Sequence, residues 1–387
     1  VKSPSPLQLY VHIPFCVHKC HYCDFNSHER CAPAWADYQQ ALITELEHWA
    51  STPMFKGRSL HTIFIGGGTP SLAPPALIKA VIDAASHYCG IDKDAEISME
   101  ANPGTADADN FRAYREAGIN RLSIGVQSFD TAELQWLERI HSADEATQAY
   151  NIARQAGFDN INLDLMYGLP DQSIDNWLIS LNRAIALKPE HLSCYQLTVE
   201  PHTKLATTHS IAPIALPDDE DALHMFFETR QQLLKAGYHA YEISNFAKPD
   251  LKCRHNDGYW LYNDYIGIGA GASGKWDQQD RGIIRYSNIR TPESYIRKAL
   301  QHGKAVNSED PLNNQQAAAE AFWLGLRRTG GINRAAFKQR FAIDAWDAFS
   351  TALQPWVDRN QLAINDVAIH LTSKGLSLAD EIAASVL

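Results

Sequence analysis

Cys16, Cys20 and Cys23 stand with three residues between the first pair and two between the second, directly after the apolar run Leu7–Ile13. Soft thiolates at that spacing select iron–sulfur, zinc or copper(I). A four-iron cluster ordinarily takes four cysteines, one per iron, so three leave one iron open to a small molecule, and chemistry would occur there. Zinc is the competing reading, with His12, His18 or His21 as a fourth ligand. Structural zinc motifs, however, usually arrive as spaced pairs. Disulfides are disfavoured because the seven cysteines are odd in number and 387 residues need no such staples. Cys31 lies outside the triplet as a fourth sulfur in principle, while Cys89 and Cys194 sit among apolar residues as small buried side chains.

Further along, Gly66, Gly67 and Gly68 precede Thr69 and Pro70, so the chain can approach a ligand closely or simply turn tightly. No GKS or GKT follows and no GxGxxG opens a helix, which excludes a phosphate loop and a dinucleotide fingerprint. Glu100, Gln127, Arg139 and Asp164 fall at or near the ends of apolar runs. A carboxylate in such company needs a partner or a ligand, and an Asp164–Arg139 ion pair holding the core together is the bland alternative. In KCRHNDGYW, Cys253 and His255 lie two apart beside Tyr259, Trp260, Tyr262 and Tyr265. Histidine and cysteine are axial ligands of heme iron and aromatic rings stack on a macrocycle. Equally, such residues pack cores, and Gly258 argues for a tight turn.

These residues must be placed by something regular. LQLYVHI, HTIFIG, AEISMEA, RLSIGV, NINLDLM and HLSCYQL read as six strands. Trp35–Ala50, Pro75–Tyr88, Ala106–Ala117, Thr131–Leu137, Ser142–Ala156 and Ile174–Ala186 read as helices between or after them, with Gly118 and Gly157 as left-handed caps. Repeated βα units imply a parallel sheet with right-handed connections, and six units a partly open TIM-like (β/α)6 barrel whose C-terminal rim carries function. The α/β barrel spans 1–210. An aromatic-rich stretch of short strands and loops covers 211–310, and a small helical, winged-helix-like domain covers 311–387. A net charge of −11 without a basic stripe excludes general nucleic-acid binding. No apolar run approaches the roughly 20 residues of a membrane helix, and the first residues show no export or organelle signal.

YVHIPFCVHKCHYCDF, IFIGGGTPS, RLSIGVQSF, NLDLMYGLP and HNDGYW together resemble the radical S-adenosylmethionine superfamily, in its oxygen-independent coproporphyrinogen III oxidase-like family. Within that family the heme-chaperone members are most similar. The resemblance covers nearly the whole chain. It implies a 4Fe-4S cluster on Cys16, Cys20 and Cys23, with S-adenosylmethionine chelating the open iron. Gly67, Gly68 and Thr69 would line its methionyl end, and Glu100, Gln127, Arg139 and Asp164 would bind the rest. Tyr10 and Phe25 would flank the cluster or the adenine, with Asn102 and Asn162 as companions. His255 matches the segment proposed to bind heme; Cys253 has no matched role.

The implied function is delivery of heme to membrane respiratory enzymes by a cytoplasmic protein, with transient peripheral association with the inner membrane. Self-association and cleavage of S-adenosylmethionine are left open. The alternative is oxidative decarboxylation of coproporphyrinogen III to protoporphyrinogen IX. Porphyrinogen-oxidising relatives carry a further cysteine one residue beyond the triplet, where this chain has Phe25. A purely structural iron–sulfur protein is a third reading, which leaves the glycine loop and the strand-end polar residues without a purpose.

Overall fold

The computed structural model describes residues 5–30, 32–105, 107–278 and 282–387; Cys31 lies outside these. Six strands run in parallel, β1 (Leu7–Ile13), β2 (Leu60–Gly67), β3 (Ile91–Ala101), β4 (Arg121–Gln127), β5 (Ile161–Tyr167) and β6 (His191–Gln196), each bonded to its neighbour in chain order. Between and after them come α1 (Trp35–Ser51), α2 (Pro75–Tyr88), α3 (Ala108–Glu116), α4 (Thr131–Trp136), α5 (Ala143–Gln155) and α6 (Ile174–Ala186). This is the βα repeat expected from the periodicity. Both left-handed glycines are where the strand approaches require them, Gly118 at φ +110° and Gly157 at φ +88°. The helices begin with local devices: Asp107 and Asp130 N-cap α3 and α4, and Ser142 with Glu145 forms a capping box at the start of α5.

Residues 211–310 do not stand apart from this sheet. After α7 (Lys204–Ile211) and α8 (Asp219–Lys235), the short β7 (His239–Ala240) and β8 (Asn245–Ala247) extend it antiparallel beyond β6. At the other side β9 (Asp264–Ile268) pairs parallel with β1. The antiparallel β10 (Ser273–Asp277), β11 (Ile283–Asn288) and β12 (Val306–Leu312) continue outward from it, with α10 (Pro292–His302) crossing between the last two. The result is twelve strands in the order β12-β11-β10-β9-β1-β2-β3-β4-β5-β6-β8-β7. β1 is therefore interior, which matches its apolar sequence buried on both faces.

The HNDGYW segment was expected as loop and strand. It forms α9 (Arg254–Trp260), with Gly258 inside the helix and not in a turn. The helix is anchored from outside its own sequence, because the Glu96 carboxylate on β3 accepts from the backbone N–H groups of Arg254 and His255 at 2.9 and 3.1 Å. Gly258 lies so close to β1 that an added Cβ would fall 2.3 Å from Gln8 Oε1.

Residues beyond 312 build a second, smaller core around Phe322, Phe337, Leu353, Ile369 and Ile382. Its elements are α11 (Asn314–Gly325), β13 (Ile332–Asn333), α12 (Arg334–Phe341), α13 (Ala345–Asp358), β14 (Leu362–Ile364), β15 (Ala368–Leu371) and α14 (Ala379–Ala384). The β14–β15 hairpin takes β13 as a third strand, giving the helices-then-wing pattern. Tyr262, Ile283 and Leu312 of the neighbouring stretch belong to this core, so the small domain is seated on the sheet extension. No helix among the described residues is long and apolar enough to cross a membrane.

Candidate functional site

The parallel strands deliver their C-terminal ends to one rim. β1 leads into Cys16, β2 ends at Gly67, β3 carries Glu100, and β4 ends at Gln127. Asp164 sits at mid-strand on β5, below that rim. The three thiols are free and share one loop, Cys16 buried and the other two half-buried. Thr69 Oγ1 donates to Cys16 Sγ at 3.5 Å, Ser27 Oγ lies 4.0 Å from Cys23 Sγ, and Arg139 Nη1 lies 3.9 Å from Cys20 Sγ. Burial pushes the Cys16 and Cys23 thiols above their usual range. Among the described residues no three His, Cys, Asp or Glu side chains are gathered so as to hold a single metal ion. A cubane makes a different demand, since each thiolate meets its own iron.

The glycine loop is pressed against this cysteine loop. A Cβ on Gly68 would stand 2.8 Å from Phe15 O and 2.9 Å from Cys16 Sγ. One on Gly67, whose φ is +126°, would stand 2.8 Å from His12 Cε1 and from Ile13 O. Thr69 N bonds Phe15 O at 2.9 Å. The triplet thus serves close approach between two loops, which is more than a turn requires.

Two recesses open on the rim. A hollow of about 10 Å³ has Cys20, Thr69, Asn102 and Arg139 in its wall. A cavity of about 520 Å³ gathers Tyr10, Phe25, Gly67 and Glu100 with Tyr259 and Trp260. Residues expected to face S-adenosylmethionine therefore share a cavity with the aromatic end of α9. Glu100 Oε2 accepts from Gly67 N at 3.0 Å, and burial, with the Asp164 carboxylate next, pushes its pKa up to about 8. Asp164 is raised as well, chiefly by burial, although Asn162 and Ser123 donate to it at 2.7 and 3.1 Å. The Asp164–Arg139 ion pair is not formed: Arg139 Nη2 donates to Gly125 O at 2.8 Å, and its Nε is buried without a partner. Gln127 follows a register irregularity in β4 with φ +67°, a strained backbone at the rim. Asn162 is buried, bridging Ser123, Asp164 and His191.

His255 is behind the cavity wall, fully buried. Thr62 Oγ1 lies 2.8 Å from its Nδ1 and Tyr259 OH 2.9 Å from its Nε2, so neither ring nitrogen is free for a heme iron in this arrangement. Burial, with Arg121 nearby, lowers its pKa to about 3, the state of a neutral core imidazole. Cys253 is buried too, 3.4 Å from Glu96 Oε1. What reaches the cavity from this motif is Tyr259 and Trp260.

Other residues of the site gave no sign of their role in the sequence, and His12, weighed there as a zinc ligand, is a hydrogen-bonding link. His12 joins Tyr10 OH at 2.9 Å to Asn26 O at 2.9 Å, and Asn26 Nδ2 donates to Ala270 O and Arg290 O at 2.8 and 2.9 Å. The cysteine loop is thereby tied to the sheet extension. Lys275, Arg290 and Glu320 also line the cavity, from elements far along the chain.

Residues 10–184 match the Radical SAM superfamily and residues 312–378 the HemN C-terminal domain. The heme chaperone HemW of Haemophilus influenzae is 46% identical over 97% of this chain and 97% of its own length. That of Escherichia coli is 47% identical over 80% of this chain and 81% of its own. The chain belongs to the HemW family. The structure of Escherichia coli coproporphyrinogen III oxidase, HemN, superposes with a TM-score of 0.84 at 26% identity, covering 99% of this chain and 90% of that one. HemW membership accounts for the barrel and for the small C-terminal domain together. The radical SAM fold carries with it the capacity for a 4Fe-4S cluster and S-adenosylmethionine.

Proposed function

We propose that this protein is a heme chaperone that holds a 4Fe-4S cluster on Cys16, Cys20 and Cys23, binds S-adenosylmethionine and heme, and delivers heme to membrane respiratory enzymes. The observation that carries this reading is the 520 Å³ cavity, of a size suited to a small-molecule cofactor. It joins Tyr10, Phe25, Gly67 and Glu100 to Tyr259 and Trp260 in a chain whose near-full-length relatives are named heme chaperones. A cluster bound here supplies single electrons and an open iron for the amino and carboxylate groups of S-adenosylmethionine. Thr69 and Arg139 stabilise thiolates at Cys16 and Cys20, and Glu100, short of a counter-charge, receives an ammonium beside Gly67. On this reading Asp164, Gln127 and Gly68 support the S-adenosylmethionine site from outside the cavity lining, while Tyr259 and Trp260 offer aromatic faces to the macrocycle. On this reading the protein acts in the cytoplasm and meets the inner membrane transiently, through its acceptor or a modest surface patch.

The alternative, coproporphyrinogen III oxidation, draws on the likeness to HemN. Phe25 speaks against it, since it is 58% exposed at the cavity where the oxidases have a further cysteine. Anaerobically reconstituted protein is expected to contain about four irons and four sulfides per chain, to bind heme, and to restore a heme-depleted respiratory enzyme. It is expected to yield no protoporphyrinogen IX by chromatography after turnover with S-adenosylmethionine. Catalytic protoporphyrinogen would establish the alternative, and stoichiometric zinc without iron would remove the cluster.

A further inference from the structure

The cavity has two unlike sides. One is the barrel rim, with Tyr10, Gly67 and Glu100; the other comes from β9, β10 and α11 and includes none of the residues expected to touch S-adenosylmethionine. Side chains alternate along a strand, so Ser273 and Lys275 of β10 share one face, and both line this second side. Lys275 is only 2% exposed. Its Nζ donates to Tyr262 O at 2.9 Å and lies 4.0 Å from the Tyr262 ring centroid. Asp264 is its paired carboxylate at 3.5 Å, but Arg58 holds that carboxylate more closely, at 2.9 Å. Two cations thus share one anion. Glu320, the acid on the same side, is already paired with Arg285 and accepts from Tyr262 OH at 2.9 Å. At the rim, the Arg290 guanidinium forms no salt bridge among the described residues.

We infer that this side, together with Arg290 at the rim, is a carboxylate-recognition subsite, in which Lys275 and Arg290 anchor the propionates of a tetrapyrrole whose ring lies against Tyr259, Trp260 and Tyr265. The inference rests on the heme reading and specifies how heme is oriented. An ammonium in a low-dielectric wall whose nearest carboxylate is shared with Arg58, with Asp277 adding only a weaker pull, is costly, and an arriving carboxylate supplies what is missing. Consistently, burial pushes the Lys275 pKa down to about 7, against the pull of Asp264. The aromatic rings give affinity without direction, whereas the two cations distinguish the acid edge of the ligand from its apolar edge.

The test titrates the full chain, followed by absorbance, with hemin and with hemin dimethyl ester, in which both propionates are blocked. The unaltered protein is expected to bind the ester about ten- to a hundred-fold more weakly, the range for losing charge-assisted hydrogen bonds. Lys275→Met and Arg290→Gln are each expected to shrink that preference, and Lys275→Arg to keep most of it. Arg290 is exposed, so its variant reports even if Lys275→Met fails to fold. Equal binding of the two ligands by the unaltered protein, or full preference retained in both charge-removing variants, overturns the inference and leaves heme binding intact. Binding of neither ligand overturns the heme reading itself.

Discussion

Glu100 is the residue where folding and cofactor binding pull in opposite directions. Its pKa is raised to about 8 from an ordinary value near 4.5, by burial first and the Asp164 carboxylate second. A group whose folded pKa is raised lends stability below its unfolded pKa and loses it as pH rises through the folded one, so the penalty grows from about pH 4.5 to about pH 8. In cluster-free protein, Glu100→Gln is therefore expected to stabilise by about 1–2 kcal/mol at pH 8.5 and to be near neutral at pH 5. Urea unfolding at the two pH values checks this; an equal effect at both would mean that the carboxylate is not held protonated. Legibility at this scale followed sequence distance. The cysteine triplet and the glycine triplet announce themselves because their spacing is local. Lys275 and Arg290 gave no sign, since only the pairing of β9 with β1 brings them to the rim. His255 was readable as a motif residue but not as a buried one, because its bonding partner Thr62 is contributed by β2.

Among the elements, β1–β6 and α1–α6 could be read because each satisfies its own backbone and advertises its buried face by period. Helix α9 could not. Asn256, Asp257 and Gly258 are poor helix formers, and what holds the segment helical is the Glu96 carboxylate at its N-terminus, with the packing of Gly258 on Gln8. Gln8 Nε2 in turn donates to His255 O at 2.7 Å and to Thr62 Oγ1 at 3.2 Å. Gly258→Ala would improve helix propensity in isolation. Here the added methyl must displace a buried Gln8 and break those bonds, so the net expectation is a loss of about 1–3 kcal/mol. Thermal unfolding decides between the two effects, and a raised melting temperature would show that propensity outweighs packing.

At the scale of the molecule, the small C-terminal domain is joined to α9 through one buried carboxylate. Asp257 accepts from Arg328 at 2.7 Å and from Lys252 at 2.5 Å, while Arg327 lies over the Trp260 ring at 5.2 Å. Asp257→Asn strips charge from that junction and is expected to cost about 2–3 kcal/mol, below the range for a fully buried pair because both cations are partly exposed. The domain beyond Leu312 should then unfold before the barrel, seen as two denaturant transitions by tryptophan fluorescence; one unchanged transition would deny the coupling. Changes of composition near residues 211 and 311 were visible in the sequence. The sheet that unites the barrel with the extension was not, because hydrogen bonding between β1 and β9 leaves no trace in either sequence. That pairing also sets a timetable. The cysteine loop leaves the ribosome well before the carbonyls of Ala270 and Arg290 that grip Asn26, which follow some two hundred and fifty residues later, about 13–50 s at ordinary rates of synthesis. Throughout that interval β1 has an open edge and the three thiols an untethered loop, so a nascent chain is the form most exposed to the wrong metal.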